Sequence, residues 1–159
     1  PASVRLACEK GGGDRGRVEL MRLATGEGAL FEAVVNFGEL LLDEDKVALA
    51  RQYLRRAHTA SPEHPKVLAL LAESYLREGA LYQPDFAIQL ASAACQHSAW
   101  LNPRALHSLA KAYHHVGDRA SALMIAHKAK TVGVRVGAGD RDVRILDALL
   151  DDLSGTSPS

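Results

Sequence analysis

The stretch NPRALHSLAKAYHHVGDRASALMIAHKAKTV, residues 102–132, decides the fold. Asn102-Pro103 is a helix start, a capping side chain followed by a proline where the missing N–H costs nothing. Leu106, Leu109, Ala110 and Tyr113 then recur at the three-and-four spacing of one helix face. Gly117-Asp118 is a stop and a start in adjacent residues, and Ala122, Ala126 and Ala129 line a second helix. The stretch therefore predicts two antiparallel helices joined by a short turn, with small residues letting them approach closely.

The same pattern occurs twice more upstream. Segments 31–64, 65–102 and 103–136 share one register with a period of about 34 residues. Phe37, Gly38 and Leu41 in the first correspond to Leu71, Ala72 and Tyr75 in the second and to Leu109, Ala110 and Tyr113 in the third. Further along, Ala50, Leu54 and Ala57 correspond to Ala87, Ala91 and Ala94, then to Ala122, Ala126 and Ala129. Repetition on this scale predicts stacked similar units that share a core. A leucine at Gly38, Ala72 or Ala110 would overfill the contact, at about 1–3 kcal/mol.

Other breaks in the chain follow the same grammar. Asp45 is expected to cap a helix over 46–59, and Ser61-Pro62 to stop it. His64-Pro65 starts the next helix and Gly79 ends it, after which Pro84-Asp85 restarts the chain. Gly133 and the 137–139 stretch are expected to end the third unit. Upstream lies a short amphipathic helix over 14–24, with Val18, Leu20, Met21 and Leu23 as its apolar part. Downstream, 140–153 reads as a capping helix that buries Val143, Ile145, Leu146, Leu149, Leu150 and Leu153 and turns Asp142, Asp147, Asp151 and Asp152 to water. Residues 1–13 are expected to be a flexible arm, 14–153 a single domain and 154–159 a disordered tail. No segment alternates with period two, so no strand is predicted.

Composition fits this reading and closes off others. The 159 residues are 47% hydrophobic, much of it alanine and leucine, and only 5% aromatic. That balance favours close helix packing over sheet. Nineteen basic residues cancel nineteen acidic ones, so no net field draws nucleic acid or an anionic membrane. No apolar run approaches the length of a membrane span. Cys8 and Cys95 do not make a disulfide scaffold, and Cys95 in its alanine-rich helix reads as a small apolar side chain. Gly11-Gly12-Gly13 is followed by Asp14-Arg15-Gly16-Arg17 and lacks the lysine and hydroxyl residue of a phosphate loop. The chain opens at Pro1, which fits processing or an interaction domain cut from a larger protein. The compartment stays open, the cytoplasm ahead of the periplasm.

Over about residues 31–136 the chain resembles the tetratricopeptide repeats. Phe37-Gly38, Leu41, Ala50, Leu54, Ala57 and Pro62 carry the likeness in the first unit, and Leu106, Leu109-Ala110, Tyr113, Gly117, Ala122 and Ala129 in the third. The second unit departs between Gly79 and Ala87, which hold about three extra residues, and Leu41 stands where a tyrosine is usual. The resemblance implies an all-α fold, a right-handed α-α superhelix of three helical hairpins with a concave groove lined by the first helix of each. It implies a non-catalytic protein-binding module, an adaptor, assembly factor or chaperone, with no cofactor. The arm at Gly11–Gly13 also resembles that of small three-repeat chaperones of type III secretion.

Positions opposite the packing residues are the expected groove lining. They are Glu32, Val35, Asn36 and Glu39 in the first unit, with Asp43 beyond. The second unit gives Lys66, Leu70 and Glu73, with Ala69 and Leu76. The third gives Arg104, His107, Ser108, Lys111 and His114, with His115. The groove is then acidic at one end and basic at the other, with Leu70 and Leu76 as an apolar floor. It suits an extended peptide or a helix whose acidic end lies toward the third unit. A homo-oligomer is left open; nucleic acid and membrane insertion are not expected. The lysine/asparagine clamp by which one subgroup of the family grips the carboxylate ends of heat-shock chaperones is absent here. Val35, Glu39 and Leu70 occupy its positions, and only Arg104 suits it.

The remaining polar clusters read as surface. His107 and His114 lie two turns apart, too far for a paired metal site, and Ser108 beside them makes no triad. Arg51, Arg55 and Arg56 form a short basic stripe without interleaved aromatics, expected on a solvated face. Trp100 is expected to bury its ring at the turn between units.

Overall fold

Small residues at fixed offsets bring the helices together in pairs. The computed structural model describes residues 13–25, 29–137 and 139–155. Among these, eight helices and no strand occur: α1 (Gly13–Ala24), α2 (Phe31–Asp43), α3 (Val47–Ala60), α4 (Pro65–Tyr75), α5 (Pro84–His97), α6 (Pro103–His115), α7 (Arg119–Val136) and α8 (Asp140–Leu153). The arm over 1–12, Cys8 included, and the end of the tail lie outside the described residues. Where one domain was expected, the helices group into two compact units that divide between Pro62 and Glu63, at the helix-stopping Ser61-Pro62.

In the first unit α1 packs on α2, and α2 pairs with α3. The pairing turns on Gly38. A methyl group there would sit 2.8 Å from both Cγ and Cδ2 of Leu54, which is fully buried on α3. Beside this contact the rings of Phe37 and Tyr53 stack with centroids 4.9 Å apart. Helix α1 buries only Leu20 and Ala24 fully, which are four residues apart on one face; Val18 and Met21 are exposed, against expectation, because they fall on other sides of the helix. Arg17 fastens α1 by donating from Nε to Glu44 at 2.8 Å, and its guanidinium lies 5.9 Å from the centre of the Phe37 ring. That hydrogen bond holds the Glu44 carboxyl below its ordinary range.

In the second unit α4 pairs with α5, α6 with α7, and α4 and α5 both pack on α6. One continuous core joins Ala72, Ala87, Ala91, Leu106, Leu109, Ala122 and Ala126, with Tyr75 at its edge. Helix α8 packs on α7 and adds Leu146, Leu149, Leu150 and Leu153 to this core. Ile145 was expected inside and is exposed, since it falls off the stripe set by those four leucines. On the outer side Lys130 Nζ pairs with Asp147 at 2.7 Å.

The turns show how the repeat is built and where it departs. After α2, Lys46 N–H donates to Leu41 C=O at 2.8 Å; after α6, Asp118 N–H donates to Tyr113 C=O at 3.0 Å. Each bond reaches back five residues across a residue in the left-handed conformation, Asp45 (φ 61°) or Gly117 (φ 82°). This is the Schellman closure of a helix end. Asp45 therefore belongs to the turn, and Lys46 is the residue before α3; the expected cap at Asp45 is not made. At the matching Tyr75, the carbonyl accepts from Gln83 at 2.9 Å, eight residues on. The three added residues are thus accommodated as a wider loop over 76–83, without loss of the closing bond. Helix α4 ends at Tyr75, before Gly79.

The start signals act as expected at α6 and α7. Asn102 Oδ1 accepts from the N–H of Arg104 (3.0 Å) and Ala105 (3.3 Å), and Asp118 accepts from Ser121 N–H. Gly133 does not end α7. It is buried inside the helix, which stops at left-handed Gly137. Trp100 is half-buried against the core with Lys128 Nζ 5.2 Å from its ring centre. Cys95 is fully buried, and burial pushes its thiol up to about 12 against the opposing pull of Lys128.

Candidate functional site

The second unit brings three of the expected groove residues into direct contact. Glu73 projects from α4 toward α6, where Ser108 Oγ donates to its Oε1 at 3.0 Å. Arg104 Nη2 lies 3.7 Å from the other carboxylate oxygen, an ion pair at the long end of the range. Ser108 is fully buried, so its hydroxyl needs an acceptor, and Glu73 is that acceptor. The Glu73 side chain is 14% exposed and that of Arg104 38%. Helices α4 and α6 are thereby tied by a carboxylate, and the Arg104 side chain beside it stays partly exposed.

Around this link α6 carries a cationic face. His107 and Lys111 are half-buried and His114 is exposed, at the spacing of one helical stripe that begins at Arg104. Lys66 is half-buried in the first turn of α4. Beyond the stripe, Tyr82 on the widened loop approaches His115, its hydroxyl 3.1 Å from Nδ1 and the ring centroids 5.7 Å apart. His115 is exposed as a residue, but its ring leans on the loop. Burial of the ring first, then the nearby Lys111 and His114 charges, hold its pKa below the ordinary imidazole value. Tyr82 was not singled out in the sequence. The added residues between Gly79 and Ala87 were the available signal.

Other expected lining residues lie inside. Leu70 is fully buried and Leu76 nearly so, and neither offers an accessible floor. The reason is the composition of α4: Val67 to Ala72 are all buried, and a helix apolar on every side is covered on every side. Ala69 and Ser108 are buried as well, Ser108 as a polar bridge.

The first unit, taken by itself, gives a mixed result. Glu32 is exposed on α2, Asn36 and Glu39 are half-buried, and Asp43 is exposed near its end, together a polar stripe. Val35 is 3% exposed and belongs to the core. On α3, Arg55 and Arg56 are exposed as expected, with Arg56 5.8 Å from the Tyr53 ring centre, while Arg51 is buried. A three-residue basic stripe on a solvated face is thus reduced to two.

Among the described residues no group of three or more His, Cys, Asp or Glu is placed to hold a metal ion, and no helix is long and apolar enough to cross a membrane. No protein-family model and no curated protein matches the chain. Solved structures do. The type III secretion translocator chaperone SycD of Yersinia enterocolitica aligns with a TM-score of 0.64 at 14% identity, over 91% of this chain and 96% of that one. An alternative dimer of SycD aligns at 0.65 and 13% identity, over 79% and 92%. MamA aligns at 0.60 and 14% identity, over 93% and 92%. The fold is tetratricopeptide-like. At these identities the likeness extends to the arrangement of helices.

Proposed function

We propose that this chain is a non-catalytic protein-binding module of three tetratricopeptide repeats, a chaperone or adaptor that holds a segment of another polypeptide. The observation that carries the reading is the packing of α4 against α6, the first helices of successive hairpins, with Glu73, Arg104 and Ser108 in contact between them. The partner segment lies along α6 with its acidic part against Arg104, His107, Lys111 and His114, and Lys66 adds a cation from α4. The fold likeness to SycD supports a chaperone-type role and, within it, a dedicated secretion chaperone as the narrower reading. On α2, Glu32, Asn36 and Glu39 form a second polar face suited to a basic or polar segment.

The test is affinity purification from the native host with two tagged variants alongside the parent. Reversal of Arg104 and Lys111 to glutamate should abolish recovery of a partner that the parent retains. Reversal of Arg119 and Arg135, exposed on α7, should leave that recovery unchanged. Equal recovery by both variants would remove α6 from the binding surface.

A further inference from the structure

The carboxylate already seated on α6 belongs to the protein itself. Glu73 engages Arg104 and Ser108 with its two oxygens, one each. The Ser108 bond is of hydrogen-bond length at 3.0 Å and comes from a buried hydroxyl, while the Arg104 contact is long at 3.7 Å, on a side chain more than a third exposed. The two halves of the link therefore differ in purpose. The serine half is packing, satisfied by any acceptor. The arginine half needs charge, and its partly exposed position leaves it accessible to an anion arriving from solvent.

We infer that Glu73 is an internal competitor, a carboxylate that occupies the Arg104 side of the α6 cationic face and sets the threshold at which an acidic partner binds there. This rests on the proposed acidic-partner reading of α6 and adds its regulation. A glutamate or aspartate of the incoming segment pairs with Arg104, and Glu73 keeps its bond to Ser108 while yielding the arginine. Segments carrying a single carboxylate are rejected by this competition, and acidic runs that also reach His107 and Lys111 are accepted.

The experiment measures fluorescence anisotropy of a short labelled peptide alternating glutamate with leucine, against a control with lysine in place of glutamate. Glu73→Gln keeps the acceptor for Ser108 and removes the charge. It should tighten binding of the glutamate peptide by about 1.5- to fivefold, the range of one accessible ion pair. In the Arg104→Gln background that gain should vanish. A gain that survives without Arg104 would reduce the effect to net charge and overturn the inference, as would no gain or a loss. Each of those three outcomes leaves the binding face standing. If the parent and Glu73→Gln both fail to bind the glutamate peptide in preference to the lysine control, the acidic-partner reading itself fails, and the inference with it. Should glutamine loosen the α4–α6 contact, Glu73→Gln combined with Ser108→Ala removes the charge together with the hydroxyl that needs it, and must show the same gain.

Discussion

Replacing Gly38 by alanine sets two known effects against each other at one atom. Alanine is the better helix former by about 1 kcal/mol, so an exposed Gly38 would gain stability from the change. The new methyl group would instead stand 2.8 Å from Leu54 Cγ and Cδ2, and ordinary contacts begin beyond 3.4 Å. Cγ is not the loose end of the side chain, and Leu54 is fully buried with no open space to swing into. Overfilling of this kind costs about 1–3 kcal/mol, which leaves a net loss of about 0–2 kcal/mol. The decisive measurement is the same change in a Leu54→Ala background. That background costs about 2–5 kcal/mol by itself through the cavity. Within it, however, the obstructing atoms are gone and Gly38→Ala should stabilise by about 1 kcal/mol. The sign of the substitution thus inverts, a coupling of about 1–3 kcal/mol between residues in contact. Urea unfolding followed by far-UV circular dichroism reads all four proteins. A Gly38→Ala protein stabilised by the full helix-propensity amount in the parent background would mean that α2 and α3 do not approach this closely.

Asn102→Ala removes the acceptor for two amides of the first turn of α6 and should cost about 1 kcal/mol, whereas Asn102→Asp should cost far less; equal losses would deny the cap its role. In a Cys8→Ser protein, Cys95 should resist a thiol reagent in the native state and react fully in denaturant, because it is enclosed and its thiol is pushed up to about 12; prompt native labelling would contradict that burial. Burial and the neighbouring Lys111 and His114 hold the folded His115 pKa below the ordinary imidazole value, so as pH falls through the imidazole range the unfolded chain takes up its proton first. Its contribution to stability is therefore present above that range and lost below it. His115→Gln should reduce the decline in stability on acidification, read as the difference between the two proteins' unfolding midpoints at each pH, and identical slopes would remove the effect.

The hairpins were legible because packing constrains the sequence from several directions at once. Gly38, Ala72 and Ala110 are small because a helix stands against them, and the same register repeats at Leu41, Tyr75 and Tyr113, whose carbonyls each accept the bond that closes the turn. Even the departure could be read: three extra residues appear as a closing bond that reaches eight residues back instead of five. The lining was less legible. Periodicity separates one side of a helix from the other, but α4 is apolar on all sides, so the side opposite Ala72 is not a surface and Leu70 is buried. The same limit applies to Val35, placed outside by its helix face, and to Arg51, placed outside by its charge, where the neighbours decided otherwise. Tyr82 could not be placed by periodicity at all, since it lies on the loop where the period is broken.

What remains of the predicted lining is the polar set, and one member of it resists a packing explanation. Ser108 needs an acceptor, which glutamine would supply as well as glutamate, at the same length and without a charge to desolvate on a side chain only 14% exposed. The sequence places glutamate there, the sole acidic residue of α4, opposite a helix that carries Arg104, His107, Lys111 and His114 on one side. A charge kept at a position where packing asks only for an acceptor points to a use for the charge, and the cation it meets, Arg104, is one that the proposed acidic partner would otherwise meet.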